Sequence, residues 1–298
     1  MRESGSVKAC VWCGASLRGG ERLRGRTRCR ACGVATTDPR PTEAELDAAY
    51  RGWYRPADGR FLGIGDAVLR RSRARLARRL DRVAPPGRVL DVGAGDGALV
   101  DALHRRGREA LGLERESSRP DFAERDLDEV EGSWAAIVFW HSLEHLPEPA
   151  AALERAAALL APGGVIVIAV PNSDSLQART FGDRWLALDL PRHLVHLTSG
   201  ALLARIRELG LRAGRISYLR GGQVMFGWLE GMVSSLPGQP RLYDAIRRPA
   251  ARSAPVAPSD QVYTLLAAAI LLPLALVATA VEVLARRSGT IYVEARAD

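Results

Sequence analysis

The chain has 298 residues, 47% apolar and 26% charged, a balance that excludes a disordered or fibrous polypeptide. Its net charge of +8 comes from arginine, since Lys8 is the only lysine, and it implies an anionic partner: nucleic acid, a phosphorylated substrate or a membrane surface. No apolar leader precedes the cysteines, so a reducing cytoplasm is the expected setting and disulfides are not.

Cys10 and Cys13, then Cys29 and Cys32, form two C-x-x-C pairs separated by fifteen residues. That spacing fits a closed tetrahedral site of four cysteine thiolates, so residues 1–40 are expected to form a zinc ribbon. The Zn2+ would be structural, replacing a core too small to build from so few residues. From Pro41 to Arg82 the pattern turns helical. Arg70, Arg71, Arg73, Arg75, Arg78, Arg79 and Arg82 interleave with Leu69, Leu76, Leu80 and Val83, giving a basic amphipathic helix. Residues 41–86 are thus expected to be a helical linker or lid, ended by Pro85-Pro86-Gly87.

Beyond that boundary short apolar runs alternate with helical patterns. Val89 to Val92, Ala110 to Leu113, Ala135 to Trp140, Val165 to Val170 and Leu211 to Leu219 read as strands. Ala98 to Arg106, Ala150 to Leu160 and the stretch from Thr198 to Leu209 read as helices, with Pro162-Gly163-Gly164 closing the second. Alternation of this kind predicts a doubly wound, Rossmann-like α/β core over residues 87–220, its sheet mostly parallel. Gly289 to Ala297 alternates Ile291, Val293 and Ala295 like one more strand, so residues 289–298 are assigned to the same sheet. Residues 221–288 then form a hydrophobic helical insertion, because roughly seventy residues are too many for a simple connection.

Leu90-Asp91-Val92-Gly93-Ala94-Gly95-Asp96-Gly97 occupies a strand-to-helix junction, and Glu114 ends the next strand. Glycines there allow a tight turn against a ligand, and the acid can accept from ribose hydroxyls. The spacing is G-x-G-x-G, and its two carboxylates suit a sulfonium or amino group better than a pyrophosphate. Here the chain resembles the class I S-adenosylmethionine-dependent methyltransferases, over roughly Arg88 to Tyr218. The resemblance implies a seven-stranded sheet with S-adenosylmethionine as cofactor. It further implies that Asp91, Gly93 and Gly95 line the methionine part, that Ala94 and Gly97 belong to the same cofactor site, that Glu114 holds the ribose, and that Asp126 and Leu127 flank the adenine. Trp140 would sit at the strand end that faces the sulfonium.

Trp140-His141-Ser142-Leu143-Glu144-His145-Leu146-Pro147 follows a long apolar strand. A hydroxyl acceptor must lose a proton, so His141 and His145 are candidate bases, with Glu144 orienting an imidazole or bracing the short turn. His141 to His145 also spells H-x-x-E-H, an inverted zinc-protease motif. That motif needs both histidines on one helix, and the strand before His141 and Pro147 after His145 argue against it. His193 is a further candidate base, and Arg192 could meet an acidic substrate group.

Val262 to Val281 is uncharged and long enough to cross a bilayer. A crossing would strand the segment at Gly289 on the far side, so an in-plane helix, a re-entrant hairpin with Val224 to Leu236, or burial is expected instead. Arg241, Arg247, Arg248 and Arg252 before the run and Arg286 and Arg287 after it suit anionic headgroups. Zinc modules of this kind are similar to those on sugar C-methyltransferases and some ribosomal RNA methyltransferases. The expected function is therefore methylation of a hydroxyl on a sugar, nucleotide-sugar or lipid-linked glycan, in the cytoplasm or at the inner membrane face, with peripheral contact through residues 224–285. An RNA methyltransferase using the zinc ribbon and basic helix is the alternative, weakened by few aromatic residues. A non-catalytic membrane or nucleic-acid binding module is the third.

Overall fold

The computed structural model describes residues 6–51, 59–63, 65–115, 119, 122–123, 126–219 and 222–297. At the N-terminus, β1 (Glu21–Leu23), β2 (Arg26–Arg28) and β3 (Ala35–Thr37) form a small antiparallel meander. Two helices follow, α1 (Glu43–Arg51) and α2 (Gly65–Val83). The single helical stretch expected over residues 41–82 is therefore divided, and its residues 52–58 and 64 lie outside the described residues.

The core then runs β4 (Val89–Val92), α3 (Ala98–His104), β5 (Ala110–Leu113), β6 (Phe122–Ala123), β7 (Trp134–Trp140), α4 (Pro149–Ala158) and β8 (Leu160–Pro171). It continues through α5 (Leu176–Phe181), β9 (Val195–His196), α6 (Ser199–Glu208) and β10 (Leu211–Ser217). The insertion is α7 (Gly222–Val233), α8 (Leu242–Ala245) and α9 (Pro258–Leu284), and β11 (Thr290–Ala297) follows it.

Seven strands form one sheet in the order β10-β11-β8-β7-β4-β5-β6. Pairing is parallel from β8 across to β6, and β11 runs antiparallel to both of its neighbours. The doubly wound character follows from residues buried on both faces of the strands. On β7 and β8, Ile137, Phe139, Ile166 and Ile168 join the core shared with Leu153 of α4 and Ile206 of α6. Ala136, Val138, Val165 and Val167 face the opposite core, with Leu76 and Leu80 of α2 and Leu99 and Leu103 of α3. This period of two is what the sequence showed as unbroken apolar runs.

Two local expectations are corrected. Pro162-Gly163-Gly164 does not close the preceding helix, which ends at Ala158. The triplet lies inside β8, where the register jumps from Trp134↔Leu160 to Ala136↔Val165, and Gly163 takes a positive φ of 71° to make the bulge. The strand read to Leu219 stops at Ser217.

The inward arginines of α2 serve the domain itself. Arg79 makes a bidentate pair with Glu294 of β11 at 2.8 Å, and Arg73 lies over the Trp140 ring at 4.7 Å. α7 and α9 pack together through Val224, Trp228, Val233, Ala268 and Ala275, forming a third core with Phe181 and Trp185.

Candidate active site

The C-terminal ends of β4, β5 and β7 open into one cleft of about 3120 Å³, several times the usual small-molecule pocket. Asp91, Gly93, Ala94, Gly95, Glu114, Asp126, Leu127 and Trp140 all line it. Gly93 and Ala94 both donate their N–H to the Leu113 carbonyl at 2.9 Å, folding the loop back over β5. Gly93 has φ +75°, and a Cβ there would lie 2.5 Å from Ser142 Cβ. The loop thus has to be glycine to let the β7 end approach. Asp91 is buried, at 4% exposure. Glu114 accepts the Gly95 N–H at 2.5 Å through Oε2, which ties the loop and leaves lone pairs for a ligand. Gly97 lies at the mouth of α3 with φ 75°. Asp126 precedes the turn Leu127–Glu129, whose Leu127 is buried.

Against this loop stands a cluster of His141, Glu144, His145 and His193. Glu144 is 2% exposed, and neither carboxylate oxygen has a hydrogen-bond partner among the described groups. Its Oε1 lies 3.4 Å from His141 Nδ1 and 4.0 Å from His193 Nε2. Burial raises the Glu144 pKa, yet the facing histidines, His141 first, hold it down at about 2. His145 shows the opposite balance: burial, then the nearby His193, push its pKa down to about 4 despite Glu144.

Tautomers follow from the partners. His145 Nδ1 lies 3.0 Å from the Arg192 carbonyl, which can only accept, so Nδ1 carries the proton and Nε2 keeps a lone pair. His193 Nδ1 donates to the Ala187 carbonyl at 2.9 Å, while its Nε2 faces carboxylate oxygens of Glu144 at 4.0 Å and Asp189 at 3.7 Å. A carboxylate oxygen of Glu144 and one ring nitrogen each of His145 and His193 lie within 4.8 Å of one another. Such a group can take up a proton, or a cation.

Tyr50 of α1 reaches this cluster unannounced by any motif, with its hydroxyl 3.0 Å from His145 Nδ1. Burial lifts its pKa to about 12, so the phenol stays protonated. Gln223 of α7 was also missed; its Nε2 lies 3.1 Å from His141 Nε2. Arg192 is held by Asp189, which accepts from its Nε at 3.2 Å.

The four cysteines converge as the spacing predicted. Cys10 and Cys32 sulfurs are 3.6 Å apart, and those of Cys13 and Cys29 are 3.7 Å apart. Tetrahedral Zn–S bonds of about 2.3 Å require S···S edges of about 3.8 Å, whereas a disulfide is far shorter. The two knuckles repeat each other: Gly14 N–H donates to Cys10 O and Gly33 N–H to Cys29 O, both at 2.9 Å.

The module is not a separate bead. Its strand β3 pairs antiparallel with β9, registering Ala35 with His196 and Thr36 with Val195. Thr37 donates its hydroxyl to the His193 carbonyl at 2.6 Å, and the same oxygen lies 3.1 Å from His196 Nε2. Since the hydroxyl proton is spent on the carbonyl, Nε2 of His196 is the donor in that second bond. The cysteine module thereby braces the loop that carries His193.

Residues 67–213 match a family model described as a methyltransferase domain. The ubiquinone biosynthesis O-methyltransferase of Xanthomonas campestris pv. campestris is 29% identical over 136 residues, covering 39% of this chain and 57% of that protein. The protein of the same name from Alkalilimnicola ehrlichii is 30% identical over 153 residues, covering 43% of this chain and 58% of its own. The chain thus spans somewhat over half the length of these curated relatives. Their names speak of ubiquinone, where the sequence led to a sugar or glycan. A chain from the complex of the Haloferax volcanii Trm112 methyltransferase activator with a methyltransferase shares the fold, with a TM-score of 0.50 at 15% identity over 86% of this chain and 97% of that one.

Proposed function

We propose that the chain, whose residues 67–213 match a methyltransferase-domain family model, is a class I S-adenosylmethionine-dependent methyltransferase that methylates a hydroxyl on a lipid-linked ring. The observation that carries the reading is Glu144 buried beneath His141, His145 and His193 in the same cleft as the glycine loop. S-adenosylmethionine would supply an electrophilic methyl group on a sulfonium centre. Asp91, Gly93, Ala94, Gly95, Gly97, Glu114, Asp126, Leu127 and Trp140 are the residues assigned to hold it.

His145 is the assigned base. Its Nε2 lone pair takes the acceptor hydroxyl proton, and the Glu144 carboxylate stabilises the imidazolium that results. Removal of the proton in this way contributes about 10²–10⁴ in rate. His193 and His141 share the Glu144 charge and position the ring. Leu46, Phe61, Val68, Leu69, Leu219 and Phe226 line the same cleft, beside arginines such as Arg60, Arg73 and Arg241. The apolar part of that lining, with the relatives' ubiquinone O-methyltransferase names, supports an acceptor with a hydrophobic portion over a free sugar. We assign Zn2+ to Cys10, Cys13, Cys29 and Cys32 as a structural ion, and the cytoplasm or its membrane face as the site of action.

The experiment supplies methyl-labelled S-adenosylmethionine to purified protein with a host extract and separates organic-soluble from aqueous products. Label in the organic fraction that vanishes in His145→Gln supports the reading. Label confined to the aqueous fraction refutes the lipid-linked acceptor, and label undiminished in His145→Gln removes that residue as base.

A further inference from the structure

The side of α9 that faces α7 is a stripe of small or polar residues: Thr264, Ala267, Ala268, Ala275, Thr279 and Glu282 are buried. Beyond Tyr263 most of the remaining side chains are aliphatic and open. Leu266, Ile270, Val277 and Leu284 are 60, 78, 60 and 83% exposed. No charged residue occurs between Gln261 and Val281. At 27 residues the helix is about 40 Å long, so its open side exceeds the apolar patch a soluble monomer ordinarily leaves in water.

Both ends of α9 are fastened to the domain. Near its start, Gln261 donates to the Ala245 carbonyl at 2.7 Å. Near its end, Glu282 accepts from Gln177 N–H at 2.9 Å, Gln177 Nε2 at 2.8 Å and Trp228 Nε1 at 2.9 Å. Six residues beyond the helix, Thr290 is already paired with Pro171 in the sheet. A helix so held cannot thread a bilayer without tearing β11 from the strands on either side, which would leave backbone groups without partners. It lies along the domain and offers its side.

The charge around that side selects among occupants. Arg286 and Arg287 stand exposed just past its C-terminus, and exposed Arg248 precedes its N-terminus. Half-exposed Tyr263 lies near that end, where an aromatic with one polar tip suits a headgroup boundary. A protein partner would ordinarily meet hydrogen-bonding groups spread over the contact, and here Tyr263 is the exposed polar side chain from Val262 to Val281. We propose that α9 seats the protein in the plane of an anionic phospholipid bilayer, its aliphatic side in the acyl boundary and the flanking arginines among the headgroups. α7 stands between α9 and the cleft, because Gln223, Met225 and Phe226 line the cleft while Val224 and Trp228 pack in the core shared with α9.

The test is co-sedimentation of the full chain with vesicles of phosphatidylcholine alone, or with about one third phosphatidylglycerol. The wild type should partition onto the mixed vesicles, and Ile270→Glu with Val277→Glu should lower that partition by about tenfold or more. Arg286→Glu with Arg287→Glu should abolish the preference for anionic vesicles. Unchanged S-adenosylmethionine affinity by calorimetry reports that the variants are folded, without reference to any acceptor. Wild-type protein left in the supernatant with both vesicle types overturns the proposal, as does equal binding by the glutamate variant. A soluble dimer dissolved by Ile270→Glu, with no vesicle binding, would assign the surface to a second copy instead.

Discussion

Thr37→Val removes one hydroxyl and keeps the shape of the side chain, so it isolates the brace between the cysteine module and the catalytic loop. Two buried groups lose their partner: the His193 carbonyl, 2.6 Å away, and His196 Nε2–H, 3.1 Å away. A buried group left unpaired costs about 1–3 kcal/mol, so two set a range of about 2–6 kcal/mol before relaxation or water entry reduces it. An expected loss of about 3 kcal/mol corresponds to a melting point lowered by roughly 6–12 °C. If the loop shifts before it unfolds, His193 moves with its carbonyl, and a displacement of about 1 Å can cost about 10² in kcat. Scanning calorimetry and single-turnover methyl transfer read the two effects separately, while cofactor affinity should hold because the glycine loop is untouched. Thr37→Ser keeps the donor and should recover most of both losses. Wild-type melting point and kcat in Thr37→Val would refute the brace.

Gly93→Ala should destroy cofactor binding, since the added Cβ meets Ser142 Cβ at 2.5 Å in a backbone with positive φ; calorimetric titration checks it. Stability should fall on acidification. His145 and His196 have pKa values depressed to about 4 and about 3, both by burial first. The unfolded chain therefore takes up protons first below about pH 6.5, and on the order of a few kcal/mol is lost between pH 6.5 and 4. Glu144, depressed to about 2, adds a loss in the same direction below about pH 4.5. Melts at stepped pH test this, and a melting point flat from pH 7 to 4 would contradict the buried neutral imidazoles. If His145 is the base, the acid limb of kcat/KM should lie well below the ordinary imidazole value of about 6.5. Chelation should release one Zn2+ per chain, detectable with a metallochromic dye, and lower turnover more than cofactor affinity; a chain without bound zinc would defeat the assignment.

The strands β4, β5, β7 and β8 were legible because a sheet covered on both faces writes itself as unbroken apolar runs. The glycine loop was legible because one backbone geometry demands one residue type at Gly93. Tyr50 was not, since its partner His145 lies 95 positions away and a tyrosine on a helix carries no local sign of its contact. The pairing of β3 with β9 was hidden for a related reason. A two-residue strand is too short to show periodicity, and its register is set by a hydroxyl across the chain. The Pro162-Gly163-Gly164 bulge reads locally as a helix stop, and only the parallel neighbour β7 reveals it as an interrupted strand. α9 was visible as a length of apolar sequence, but which of its sides is open depends on Glu282 and Gln177, which the run itself does not contain.

β11 sits between β8 and β10, yet it follows both of them, and α9, in the chain. During synthesis the two older strands therefore emerge with facing edges and an empty lane between them. The 13 residues from Ala285 to Ala297 must be translated before the lane fills, and at about 5–20 residues per second that takes about one to three seconds. Until α9 and β11 have both left the ribosome, β8 and β10 keep two unpaired edges, the arrangement that recruits neighbouring chains. Slow codons over this short stretch should therefore lower the soluble yield more than the same codons elsewhere, while leaving the amino-acid sequence untouched.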